Sequence, residues 1–134
     1  MSIKQVQPVV PDQWLLLQWR RNPEGVTAGE AHQLVEAIRQ GCERGRYWLR
    51  AYAALPDRLA LLLYPLEEPA RVIATLEAVA GCELARLRPM RDDADLERTA
   101  RFVEGMPVRS HLSQRPEDYP WSNVGWIREF IPAG

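Results

Sequence analysis

Cysteine is scarce in this chain, and the two present, Cys42 and Cys82, form no Cys-x-x-Cys pair. That spacing excludes a thiolate metal knuckle and gives no disulfide framework. Histidine is as rare, with only His32 and His111, which lie far apart in sequence. Lysine is nearly absent, since Lys4 is the sole one. No apolar run approaches the ~20 residues of a membrane span. The N-terminus lacks the basic-then-apolar layout of a secretory signal, so a cytoplasmic address and no membrane partner are expected. There is no internal repeat and no low-complexity tract. An excess of positive charge is missing too: the formal net charge is −1. Dedicated DNA binders are usually basic, because neutralising phosphates supplies most of their affinity. A basic face within a balanced total is still compatible with that number.

What is present fits one folded domain. A chain of 134 residues with 46% hydrophobic and 26% charged residues has enough apolar material for a single core. The positive charge is almost all arginine, which forks onto phosphates and stacks on bases.

Strands and helices alternate along the chain. Trp14 to Arg20 is an apolar run that reads as a buried first strand, broken by Asn22-Pro23-Glu24-Gly25. Thr27-Ala28-Gly29-Glu30 has capping-box spacing. Ala31, Leu34, Val35, Ile38 and Cys42 then recur at helical spacing up to Gly45. Arg46 to Leu55 alternates, with Tyr47, Leu49, Ala51 and Ala53 expected on one face and Arg46, Trp48, Arg50 and Tyr52 on the other. Pro56-Asp57 turns the chain into a third strand, Arg58 to Tyr64. Pro69 opens a second helix with Val72, Ile73, Leu76, Val79 and Ala80 on one face, ending at Gly81. Glu83 to Met90 reads as a fourth strand. Asp92 and Asp93 cap a third helix striped by Leu96, Thr99, Ala100 and Val103, and Pro107 is expected to end it. A tail rich in proline and tryptophan, 113–134, is expected to be ordered, with Trp121 and Trp126 as packing anchors.

The order β-α-β-β-α-β plus a C-terminal helix is the split βαβ, or ferredoxin-like, arrangement. The expected class is therefore α+β, in one domain over 1–134. Both long helices should cover one face of an antiparallel sheet. The opposite face needs the third helix, the tail or a partner.

Two stretches carry a resemblance. Tyr52-Ala53-Ala54-Leu55-Pro56-Asp57-Arg58-Leu59-Ala60-Leu61-Leu62-Leu63 is similar to Tyr-Val-Val-Met-Pro-Asn-His-Val-His-Leu-Leu-Leu of the REP-associated tyrosine transposases, which are single-tyrosine HUH enzymes. Arg101-Phe102-Val103-Glu104-Gly105-Met106-Pro107-Val108-Arg109, followed by Arg115-Pro116-Glu117-Asp118-Tyr119-Pro120-Trp121-Ser122, resembles the same family's Arg-Tyr-Ile-Glu-x-Asn-Pro-Val-Arg and Arg-Pro-Glu-Asp-Tyr-Pro-Trp-Ser. The resemblance implies a ferredoxin-like, dimeric scaffold that acts on single-stranded or hairpin DNA. In that family the histidine pair holds a divalent metal against the scissile phosphate, and a helical tyrosine attacks it.

The reactive positions differ here. Arg58 and Ala60 stand where the family has its histidines, and Phe102 stands where it has its tyrosine. The resemblance therefore implies a degenerate centre, with no catalytic residues, no metal ligands and no cofactor. The longer aromatic and basic segment that the family carries before its last strand is replaced by Gly81 running almost directly into Glu83-Leu84-Ala85-Arg86-Leu87-Arg88. His32, His111, Tyr52, Tyr64 and the Asp92, Asp93, Asp95 group are expected to be exposed, packing or capping residues rather than substitutes.

Beside an active nuclease or transposase with substituted residues, two functions remain open at this level. Arg46, Trp48, Arg50, Arg58, Arg86 and Arg88 are candidates for a nucleic-acid surface, interleaving arginine with aromatics on an open sheet. The alternative is a protein–protein module, self-associating through the same sheet.

Overall fold

A computed structural model describes residues 13–21 and 28–120. Its elements are β1 (Leu15–Arg20), α1 (Ala28–Glu43), β2 (Tyr47–Ala54), β3 (Arg58–Pro65), α2 (Pro69–Ala80), β4 (Arg86–Pro89), α3 (Asp93–Glu104) and α4 (Met106–Arg109), followed by a 3-10 turn over Pro116–Asp118. The sheet order is β2-β3-β1-β4, with every neighbouring pair antiparallel. This is the expected split βαβ arrangement. The Asn22–Gly25 break, Thr27 of the capping box, and Trp121 and Trp126 lie outside the described residues.

Helix boundaries follow from local chemistry. Pro69 occupies the first turn of α2, where its missing N–H costs nothing. Gly81 closes that helix in the left-handed conformation at φ 76°, its N–H donating to the Glu77 carbonyl. Asp92 caps α3 by accepting the Asp95 N–H at 2.8 Å. The expected end of α3 moves: the helix stops at Glu104, and Pro107 lies in the first turn of α4. Proline is accepted there for the same reason as in α2.

Both sheet faces are covered. One face carries Leu15, Leu17, Trp19, Leu49, Leu59, Leu61 and Leu63 against Leu34 and Ile38 of α1 and Val72, Ile73 and Leu76 of α2. The other carries Leu16, Ala51, Ala53, Ala60 and Leu62 against Ala100 and Val103 of α3 and Met106 of α4. Small residues on β2 and β3 let α3 approach the sheet closely. Val79, expected on the buried stripe of α2, is 38% exposed.

The main departure from simple alternation is in β2. Leu49 pairs with Leu63, but Ala51 pairs with Leu62, so Arg50 is an extra residue in a β-bulge. The bulge reverses the facing of all that follows. Tyr52 lies with Tyr47 and Leu49 on the α1–α2 side, whereas Ala51 and Ala53 lie under α3. Tyr52 therefore does not share a face with Trp48 and Arg50, contrary to the period-two expectation.

Candidate nucleic-acid interface

A groove of about 290 Å³ runs between the β1–β4 edge of the sheet and α3. Leu16 and Gln18 from β1 form its floor. Arg86 and Arg88 of β4 form one wall, and Asp95, Arg98, Thr99 and Phe102 of α3 form the other. Register brings the β residues together: Gln18 sits between Ala60 of β3 and Arg86 of β4, and Leu16 between Leu62 and Arg88. Paired residues share a face.

Asp95 organises the groove's charge. Its side chain is almost fully buried. It accepts the Arg91 backbone N–H at 3.0 Å and the Arg88 guanidinium at 3.1 Å. Arg91 and Arg98 approach at 3.5 Å and 3.6 Å. The Arg91 N–H lowers the carboxyl to about 2, burial opposing it and the Arg88 hydrogen bond and charge assisting. The second Arg88 nitrogen donates to Thr99 at 2.9 Å. Asp95 was expected only as a capping residue; the cap is Asp92. The signal for the larger role is the Arg91, Asp95, Arg98 spacing, which puts Asp95 and Arg98 on one face of α3 with Arg91 just before its cap.

The candidate residues are distributed unequally. Arg86 and Arg88 line the groove, and both are exposed. Arg50, at the bulge, bridges to Glu97 at 3.0 Å and Glu104 at 3.3 Å on α3, fastening that helix to β2. Trp48 stacks on Tyr64 at 5.1 Å, and Trp14 meets Tyr64 edge-on at 5.5 Å. This aromatic group lies at the far end of the same face, about 20 Å along β3 from Arg58. Arg46 lies apart from all of these, in a smaller cleft between α1 and α2. His32 is exposed on α1. His111 follows α4 in a left-handed conformation at φ 60°.

Arg58 and Ala60 lie on β3, and Phe102 lies on α3. Arg58 pairs with Arg20 and Ala60 with Gln18, so the two lie on one face with one residue between. Arg58 is exposed beside Asp57 at 3.7 Å, whereas Ala60 has no exposed surface. Phe102 is 45% exposed at the groove mouth, with the Arg109 guanidinium 4.4 Å from its ring centre. Arg109 also donates to the Phe102 carbonyl. A divalent cation does not fit these residues. Position 58 presents a cation, position 60 a methyl group, and the neighbouring Asp95 carboxylate is engaged by arginines.

Several other described residues of the two stretches hold the scaffold. Glu104 anchors Arg50, and Val103 and Met106 fill the core. Arg115 pairs with Asp118 at 3.1 Å across the 3-10 turn. Tyr119 is buried and donates its hydroxyl to the Ala54 carbonyl at 2.8 Å.

A solved structure described as "Structure of the REP associates tyrosine transposase bound to a REP hairpin" is similar over 96% of this chain and 89% of that chain, with a TM-score of 0.68 and 14% sequence identity. The fold is transposase-like. No family model and no curated protein sequence matches the chain. Among the described residues, no helix is long and apolar enough to cross a membrane.

Proposed function

We propose that this chain is a transposase-like domain that binds single-stranded or hairpin DNA and does not cleave it. The observation that carries the reading is the groove, which the exposed ring of Phe102 and three arginines, Arg86, Arg88 and Arg98, help to line. An exposed phenyl ring at Phe102 offers a stacking platform for a base, a contact worth roughly 1–3 kcal/mol in single-strand binders. It offers no hydroxyl to attack phosphorus. Arg58 and Ala60 offer no ligand to a metal. The similar solved structure, by its description, was bound to a hairpin.

Fluorescence anisotropy with a labelled DNA hairpin tests this. Three or four phosphate contacts to a single strand predict a log–log salt slope of about −2 to −3. Affinity should then fall roughly twenty- to sixty-fold between 50 and 200 mM salt. Absence of binding at the lowest salt would end the proposal.

A second reading, self-association, is supported by the position of β2, an outer strand of the sheet among the described residues. Sedimentation that stays monomeric at high concentration would remove it.

A further inference from the structure

Arg20, Arg21 and Arg58 meet at the end of the sheet where β1 leaves and β3 begins. With Asp57 they line one shallow hollow of about 430 Å³. Arg20 and Arg58 are directly paired across β1 and β3, and both are exposed. Like charges directly opposite on a sheet destabilise it. The Arg21 backbone N–H donates to the Asp57 carbonyl at 2.8 Å, fixing the two segments together. One carboxylate, Asp57, shares the hollow's lining, at 3.7 Å from Arg58. Arg50, Arg88 and Arg98 on the same face each have a carboxylate partner, but Arg20 has none among the described residues. Neither packing nor ion pairing accounts for arginine at both Arg20 and Arg58. An anion between them would.

We infer that this arginine hollow is a seat for a phosphodiester of a nucleic-acid backbone. The guanidiniums supply fixed positive charge at the place where the resemblance has a metal, and their forks suit bidentate contact with phosphate oxygens. The hollow lies one alternate residue along β1 from Gln18, about 7 Å from the groove floor. A strand entering the groove can therefore place a neighbouring phosphate here. The inference rests on the proposed DNA-binding reading for the source of the phosphate, but the seat itself has an independent test.

The test uses the full chain, with Arg20→Gln and Arg58→Gln variants, in two arms. In the first, thermal unfolding is followed in orthophosphate and in chloride at equal ionic strength. Orthophosphate should raise the wild-type Tm by about 3 °C or more over chloride, and the variants should lose most of that gain. An equal gain in all three proteins, or no gain, overturns the seat. In the second, anisotropy with hairpin DNA should show at least fivefold weaker binding by either variant while its Tm in chloride stays at or above wild type. Wild-type affinity in both variants overturns the assignment to backbone phosphate and leaves the DNA-binding reading intact. If wild type binds no DNA, that reading falls, and the orthophosphate arm still decides whether the seat exists.

Discussion

Replacing Tyr119 by phenylalanine asks whether the matched Pro-Glu-Asp-Tyr-Pro stretch serves the scaffold or chemistry. The Tyr119 side chain is 7% exposed, and its hydroxyl donates to the Ala54 carbonyl at 2.8 Å. Burial pushes its phenol up, so the hydroxyl stays protonated and is a poor nucleophile. The contact ties the segment after α4 to the end of β2, 65 residues earlier in the chain. Removing the hydroxyl alone leaves a buried carbonyl without its donor. The cost should be about 1 kcal/mol, within a range of roughly 0.5–1.5. Truncation to alanine also removes the ring from a cluster that includes Leu55, Met106 and Val103. That should cost about 3–5 kcal/mol. Urea unfolding at neutral pH measures both, and the slope should stay constant, since the unfolded surface changes little. Hairpin affinity of the phenylalanine variant should equal that of wild type. A phenylalanine variant as stable as wild type, or an alanine variant costing less than about 1 kcal/mol, would refute the anchoring role.

Three further predictions follow from charge and backbone geometry. Asp95 has a folded pKa of about 2, below its ordinary 3.8, so the stability it contributes is complete above about pH 4 and is lost as pH falls toward 2; in acid titrations Asp95→Asn should lose this component and be less stable than wild type at neutral pH. Arg86 is exposed and has no carboxylate partner among the described residues, so Arg86→Gln should leave Tm unchanged while weakening hairpin binding and flattening the salt slope by about 0.7. His111 holds a left-handed backbone at φ 60°, which disfavours a side chain by roughly 1–2 kcal/mol. Glycine there should stabilise the fold by about 0.5 kcal/mol after its greater unfolded-state freedom is subtracted, as chemical denaturation would measure.

The element order was readable because each segment's apolar period matched its structure. Leu34 and Ile38 recur at helical spacing, and Pro69 with Gly81 bracketed α2 by known backbone preferences. The bulge at Arg50 was not readable. Nothing in Leu49-Arg50-Ala51 marks an extra residue, and one such residue reverses every side chain beyond it. Tyr52 therefore faces α1 and α2, where strict alternation would put it beside Trp48 and Arg50. Of the groove's lining, Arg86 and Arg88 stand out in the sequence through strand alternation, and Phe102 through the resemblance. Gln18, Arg98 and Asp95 do not, because their meeting depends on how α3 crosses the β1–β4 edge. Arg50 looked free in sequence. Its two glutamate partners lie 47 and 54 residues away, and only the packed fold brings them near.

We propose a domain with a transposase-like fold that binds hairpin DNA without cleaving it. The most direct measurement is a denaturing gel of end-labelled single-stranded hairpin DNA after incubation with the full chain and manganese at low salt. Intact DNA running free of protein is predicted, even at protein concentrations that saturate binding. A nicked product, or a band shifted by covalent attachment to the protein, would contradict it.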